Sequence, residues 1–308
     1  MTGHMRAVMS GHAYPHTRLN AASTYLVVPP VFHENDDMTT EIKMQAPICP
    51  QLAPQRVRHP LKARLLQVRK ITCLTPRMVR VTFHGRDLGD FISASFDDHM
   101  KLFFPPDGQP IVPTNTPEGP RFAEGTVRPP ARDYTPRYYR EATRELDIDF
   151  VLHGDGPAAS WVAGATEGDE LVVAGPRGSF VMTPNFDWQL MIGDETALPA
   201  IGRRLEELPA AAKAYVIALV ENAAEEQAFQ TQAQVNITWL HREGSSESEQ
   251  ALVNAVRTFA LPAGEGYIWG AGQAAHMRAI SQYLLEEKGI DKSRVRISNY
   301  WKPGSPQE

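Results

Sequence analysis

The chain changes its periodicity near residue 184, and this change restricts it to folds that join two unlike halves. From about residue 61, apolar and polar residues alternate. Val79, Val81 and Phe83 occupy every second position of MVRVTFH, the period of a half-buried strand. KLFFP (101–105), LDIDFVLH (146–153) and DELVVAGPRGSFVM (169–182) are also strand-like, with Pro and Gly between them, and one short helix is expected to begin at Pro157-Ala158. Several short strands with one helix predict a small antiparallel β-barrel. Beyond Pro184 the strand-like runs 188–194, 214–221, 235–241, 266–272 and 295–301 alternate with the helical stretches 197–208, 249–261 and 274–290. Such alternation predicts a parallel α/β sheet.

The expected organisation is a disordered extension over 1–58, a barrel over 59–184 and an α/β domain over 185–308. The extension is assigned because Pro29, Pro30, Pro47, Pro50 and Pro54 interrupt any regular element, and Met38 offers an alternative start. At 308 residues the chain is long enough for two cores, and 42% hydrophobic with 22% charged residues is a globular composition. A net charge of −5 argues against a nucleic-acid partner. Cys49 and Cys73 are the two cysteines, too few for a four-cysteine zinc or iron–sulfur site, so no metal centre is expected. Any electron carrier is then an organic cofactor or belongs to another protein. No run of about 18 apolar residues spans a membrane, and the N-terminal stretch lacks an apolar signal core, so a cytoplasmic location is expected.

The chemistry concentrates in a few segments. Arg132-Asp133-Tyr134-Thr135-Pro136-Arg137 supplies a planar guanidinium suited to a pyrophosphate, a flat phenol ring for a flavin and a hydroxyl for the ring edge where hydride arrives. His153-Gly154-Asp155-Gly156-Pro157-Ala158-Ala159-Ser160 is a Gly-rich turn leading into a helix, a ready anion site. Ala174-Gly175-Pro176-Arg177-Gly178 closes the barrel half. Gly193-Asp194-Glu195-Thr196-Ala197-Leu198-Pro199-Ala200 sits at the first strand-to-helix turn of the α/β half, without the spacing of a Rossmann fingerprint. Tyr267-Ile268-Trp269-Gly270-Ala271-Gly272 places a second glycine turn on the same edge, serving either packing or cofactor. Tyr300-Trp301 ends the last strand.

Taken in order, these segments resemble the siderophore-interacting proteins, NAD(P)H-dependent ferric siderophore reductases of the ferredoxin-reductase-like superfamily, over residues 55 to 304. The resemblance implies FAD, a nicotinamide donor (NADPH before NADH) and an imported ferric siderophore whose Fe(III) is reduced to Fe(II). It implies Tyr134 and Thr135 at the reacting flavin edge. Arg132, Val151, His153, Gly156, Ala159 and Ser160 would surround FAD, Asp194 and Thr196 would meet the nicotinamide cofactor, and Trp301 would shield the flavin. Phe96-Asp97-Asp98-His99-Met100-Lys101 resembles the family's D-D-H-x-K block. Lys101 and Arg177 match basic positions beside the flavin and would attract an anionic, catecholate-type complex. His99 is a further candidate for a flavin contact, and Arg203 and Arg204 for a 2′-phosphate. Two other readings stay open: a flavin-binding siderophore chaperone with weak activity, and a general NAD(P)H:flavin or quinone reductase.

Overall fold

The computed structural model describes residues 43–154, 156–242 and 248–304. The barrel half contains β1 (Gln55–Arg58), β2 (Ala63–Thr75), β3 (Met78–His84), β4 (Met100–Phe103), β5 (Thr114–Thr116), β6 (Gly119–Arg121), β7 (Ala131–Tyr134), β8 (Tyr138–Arg140) and β9 (Glu145–Val151). Helix α1 (Pro157–Gly164) and strands β10 (Glu170–Ala174) and β11 (Gly178–Val181) complete it. Seven of these strands form an antiparallel sheet in the order β7-β4-β10-β2-β3-β9-β8. β2 and β3 are a single long hairpin, with Thr75 opposite Met78.

Strand β9 shows why the barrel holds together. Leu146, Ile148 and Phe150 are fully buried on one face, alongside Val81, Phe83 and Leu102. Each such side chain contributes about 1.5–3 kcal/mol through removal from water. The opposite face of β9 carries Asp147 and Asp149, which the arginines beside them neutralise. Arg140 grips Asp147 with two nitrogens at 2.7 and 2.8 Å, and Arg80 grips Asp149 at 2.6 and 2.8 Å. Burial works against ionisation of Asp147, yet Arg140 and the Thr82 hydroxyl hold its carboxyl below the usual range.

The second half is a five-stranded parallel sheet of order β14-β13-β12-β15-β16. Its strands are β12 (Trp188–Asp194), β13 (Lys213–Val220), β14 (Gln234–His241), β15 (Gly266–Gln273) and β16 (Val295–Trp301), with helices α2 (Leu198–Glu207), α3 (Ser248–Thr258) and α4 (Ala274–Gln282). Every residue of β12 is buried, as expected of a central parallel strand covered on both faces. From β12 the chain builds outward to β14 and then returns to the other side for β15 and β16. The carboxyl ends of β12 and β15 therefore flank the point where the strand order reverses, the place where open α/β sheets bind ligands.

Residues 43–58 differ from the expected extension. Met44 is fully buried in the α/β core with Trp188, Ile280 and Ile290. The Arg294 guanidinium donates to the Ala46 carbonyl at 2.7 Å, Ser293 Oγ accepts from Ile48 N at 2.8 Å, and β1 pairs antiparallel with β11. The proline interruptions rule out a long element but not an irregular strap whose carbonyls are met by side chains. Residues 1–42 of the expected extension lie outside the described residues.

The two halves share a core. Met78, Phe96 and Met182 of the barrel half pack in one apolar cluster with Phe186, Leu198, Ile201, Leu205 and Trp269 of the α/β half. If the strap is integral to the fold, Met44→Ala destabilises the protein by about 2–5 kcal/mol, the cost of a buried cavity. Urea unfolding measures this, and an unchanged midpoint would show that the strap packs nothing essential.

Candidate functional site

A cavity of about 530 Å³ opens between the end of β7, the turn before α1, the start of α2 and the C-terminal strand β16. Tyr134, the last residue of β7, forms its apolar wall. Its ring lies 4.6 Å from that of Phe150 and 6.3 Å from that of Phe104, both fixed in the barrel core. Burial pushes the Tyr134 hydroxyl well above the usual phenol range, with the Arg132 charge opposing it weakly. At neutral pH it is therefore a neutral donor rather than a base. Thr135 is buried beside it and shares a hydrogen bond with the Tyr300 side chain. Burial, reinforced by the Asp97 charge, keeps the Tyr300 phenol protonated as well.

The opposite wall is the N-terminus of α1. Gly156 is its N-cap, Pro157 stands at the first helical position, and no side chain caps the turn. The first backbone N–H groups of a helix have no partner within it. Gly156, Ala158 and Ala159 present this end to the cavity, with the Arg132 side chain also in the lining. An uncapped helix N-terminus beside a guanidinium fits a pyrophosphate. The neighbouring phenol ring and the Thr135 hydroxyl fit a flavin ring, so the residues present suit FAD.

The third wall comes from β16. The indole of Trp301 lies 6.1 Å from the imidazole of His153, at 32° between planes, so the last strand closes onto the barrel. Arg296 donates to Asp97 at 2.5 Å and lies 4.2 Å over the Phe180 ring, fastening β16 to the barrel at a second point.

Nine residues expected from the sequence line this cavity: Arg132, Tyr134, Thr135, Val151, His153, Gly156, Ala159, Thr196 and Trp301, and His99 joins them. Four do not. Ser160 lies one turn into α1, where its N–H closes the first helical bond to the Gly156 carbonyl at 2.9 Å. Asp194 is fully buried behind the lining, with its carboxylate committed to neighbouring N–H and O–H groups. Lys101 is exposed on β4 and pairs with Asp133 at 3.2 Å, and Arg177 is exposed in the turn before β11. Asp155 lies outside the described residues.

Arg203 and Arg204 are not placed for a 2′-phosphate. Arg203 donates to Ser93 Oγ at 2.7 Å and to the Pro136 carbonyl at 2.9 Å. Arg204 is buried against Gln189, the Thr183 carbonyl and the Phe96 ring, where burial pulls it down to about 10. A helix pattern shows that arginines lie on α2. It cannot show that this face meets the barrel instead of solvent. Asp149 and Arg296 also line the cavity without having been expected, because each owes its place to long-range packing, whereas Pro199 lies in the Gly193–Ala200 segment. Asp97 and Tyr300 stood in segments already singled out.

Gly272 has φ +149°, and a Cβ there would stand 2.5 Å from Asp194 Oδ2. The second glycine turn therefore exists to make room for the Asp194 carboxylate. Arg137, which ends the barrel motif, reaches across to α2 and grips Glu206 with two nitrogens at 2.7 and 2.5 Å.

An antiparallel barrel followed by a parallel sheet whose switch point faces the same cavity is the ferredoxin-reductase-like fold. Two family models match in sequence order, the siderophore-interacting FAD-binding domain over residues 67–180 and the siderophore-interacting protein over residues 186–304. The chain belongs to the siderophore-interacting protein family. It is 40% identical over 253 residues to the NADPH-dependent ferric-chelate reductase of Escherichia coli K12, covering 80% of this chain and 96% of that protein. It is 32% identical to the ferric vibriobactin reductase ViuB of Vibrio cholerae, covering 80% and 91%. The solved structure of a siderophore utilization protein from T. fusca superposes with a TM-score of 0.75 at 37% identity, covering 82% of this chain and 97% of that one.

Glu206 is exposed to water, so Arg137→Ala removes a tie between the halves without stranding a buried charge and costs about 1 kcal/mol. Calorimetry should show a lower unfolding temperature, and an unchanged one would mean that the pair contributes nothing to joining them.

Proposed function

We propose that this protein is a FAD-dependent ferric siderophore reductase that takes electrons from NADPH and acts in the cytoplasm on an anionic, catecholate-type complex. The observation that carries the reading is the meeting, in one cavity, of the uncapped α1 N-terminus, the Tyr134–Thr135 end of β7 and the carboxyl edge of the parallel sheet. When bound, FAD supplies acceptance of a hydride and release of electrons one at a time. One NADPH therefore reduces two ferric complexes, and Fe(II) leaves because hard oxygen donors hold it more weakly than Fe(III).

The residues of the chain bind, orient and exclude water. Arg132 and the N–H groups of Ala158 and Ala159 hold the pyrophosphate charge, while Tyr134 and His153 face the ring system. The Thr135 hydroxyl, ordered by its bond to Tyr300, is the polar group we assign to the reacting flavin edge. Trp301 covers the side from which the nicotinamide approaches. No acid–base pair is required. Among the described residues no helix is long and apolar enough to cross a membrane. Lys101 and Arg177 stand outside the cavity lining, so their proposed role is to steer an anion by charge rather than to coordinate it.

An anaerobic titration with NADPH and then NADH, followed in the visible spectrum, tests the reading. Flavin bands should bleach with NADPH and recover when ferric siderophore is added. Bound flavin that neither donor bleaches would instead make this a binding protein. Lys101→Ala and Arg177→Ala should raise KM for an anionic ferric siderophore more than for a neutral chelate. Equal effects on both substrates would remove the steering role.

A further inference from the structure

Asp194 closes β12 at the reversal point of the sheet, and no part of it is exposed. Its two oxygens serve different parts of the molecule. Oδ1 accepts from Thr196 N at 2.9 Å and Thr196 Oγ1 at 2.5 Å, which shapes the turn into α2. Oδ2 accepts from Gln273 N at 2.7 Å, at the end of β15, and from Trp301 Nε1 at 2.9 Å, at the end of β16. One buried carboxylate thus joins three strand ends, and the outermost of them carries the tail that walls the cavity. Gly272 leaves it the space, and the β15–β16 ladder shifts register at Gly272/Gln273, opposite Trp301. The backbone ladder is irregular where the side-chain bond to Asp194 is made.

We infer that Asp194 is a latch for the C-terminal tail: it is a positioning residue that holds Trp301 across the cavity and so sets how readily the nicotinamide is admitted. The inference rests on the reductase reading for its consequence, but the latch itself is a property of the protein without nicotinamide. A charged acceptor strengthens the indole N–H bond relative to a neutral one. The nicotinamide must reach the face that Trp301 covers, so the fraction of molecules with the tail released scales its apparent affinity. Residues 302–304 are exposed beyond the indole and also line the cavity.

Trp301→Phe keeps an aromatic ring and removes the N–H, and Asp194→Ala removes the acceptor. The experiment compares amide hydrogen exchange of residues 298–304 in the flavin-loaded full-length protein and these variants, together with the NADPH dependence of ferric siderophore reduction. Exchange should rise about tenfold or more in either variant, the loss of one charge-assisted hydrogen bond. The double variant should not exceed Asp194→Ala, which also frees Gln273 N, and KM for NADPH should fall while KM for the siderophore changes less. Unchanged exchange in Trp301→Phe, whose fold is the less disturbed, overturns the latch. Faster exchange with unchanged KM in an active enzyme overturns its role in admission. Faster exchange in a protein that oxidises no NADPH, wild type included, upholds the latch and overturns the reductase reading.

Discussion

Barrel and sheet can form a site together only if neither moves against the other, and the seam between them supplies this fixity. Phe96 and Met182 from the barrel half enter the same apolar cluster as Leu198, Leu205 and Trp269 from the α/β half. Around that cluster the polar ties are charged on at least one side. Arg137 meets Glu206, Arg203 meets Ser93, Arg296 meets Asp97, and Thr75 Oγ1 meets Glu225 at 2.5 Å. Apolar contact supplies most of the attraction, and the directional bonds select one orientation among the many that contact alone would permit.

Arginine carries much of this orientation because its fork satisfies several carbonyls at once. Arg294 is almost fully buried and donates to Ala46, Pro47 and Glu265. Arg204 and Arg203 do likewise for the segments around residues 183 and 136. Loop carbonyls that no ladder reaches are thereby paired, which is what irregular segments need if they are to be buried.

The elements visible in the sequence were those whose signal is local. β12, β13 and β15 are continuous apolar runs, α2 has its apolar stripe, and the strand MVRVTFH alternates cleanly. Nine residues of the motif segments line one cavity, because each sits at a strand end or helix start whose geometry follows from a few neighbouring residues. What the sequence did not disclose depends on distant partners. Arg203 reads as a surface cation until Ser93 and Pro136 are brought against it. Asp194 reads as a ligand contact until Trp301, 107 residues later, is seen to use it. The strap over 43–58 has no period, since its side chains and carbonyls meet separate partners rather than one repeating face.

That strap has a consequence for the order in which the protein is made. Ile48 finds Ser293 at a separation of 245 residues, and Met44 enters a pocket bounded by Ile280 and Ile290. A ribosome releases the strap well before its receptor surface, which residues 280–294 complete. The barrel can condense by neighbouring hairpins, whereas this closure brings together the most distant parts of the described chain and carries the entropy of a long loop. The strap therefore cannot dock until residues 280–294 have been made.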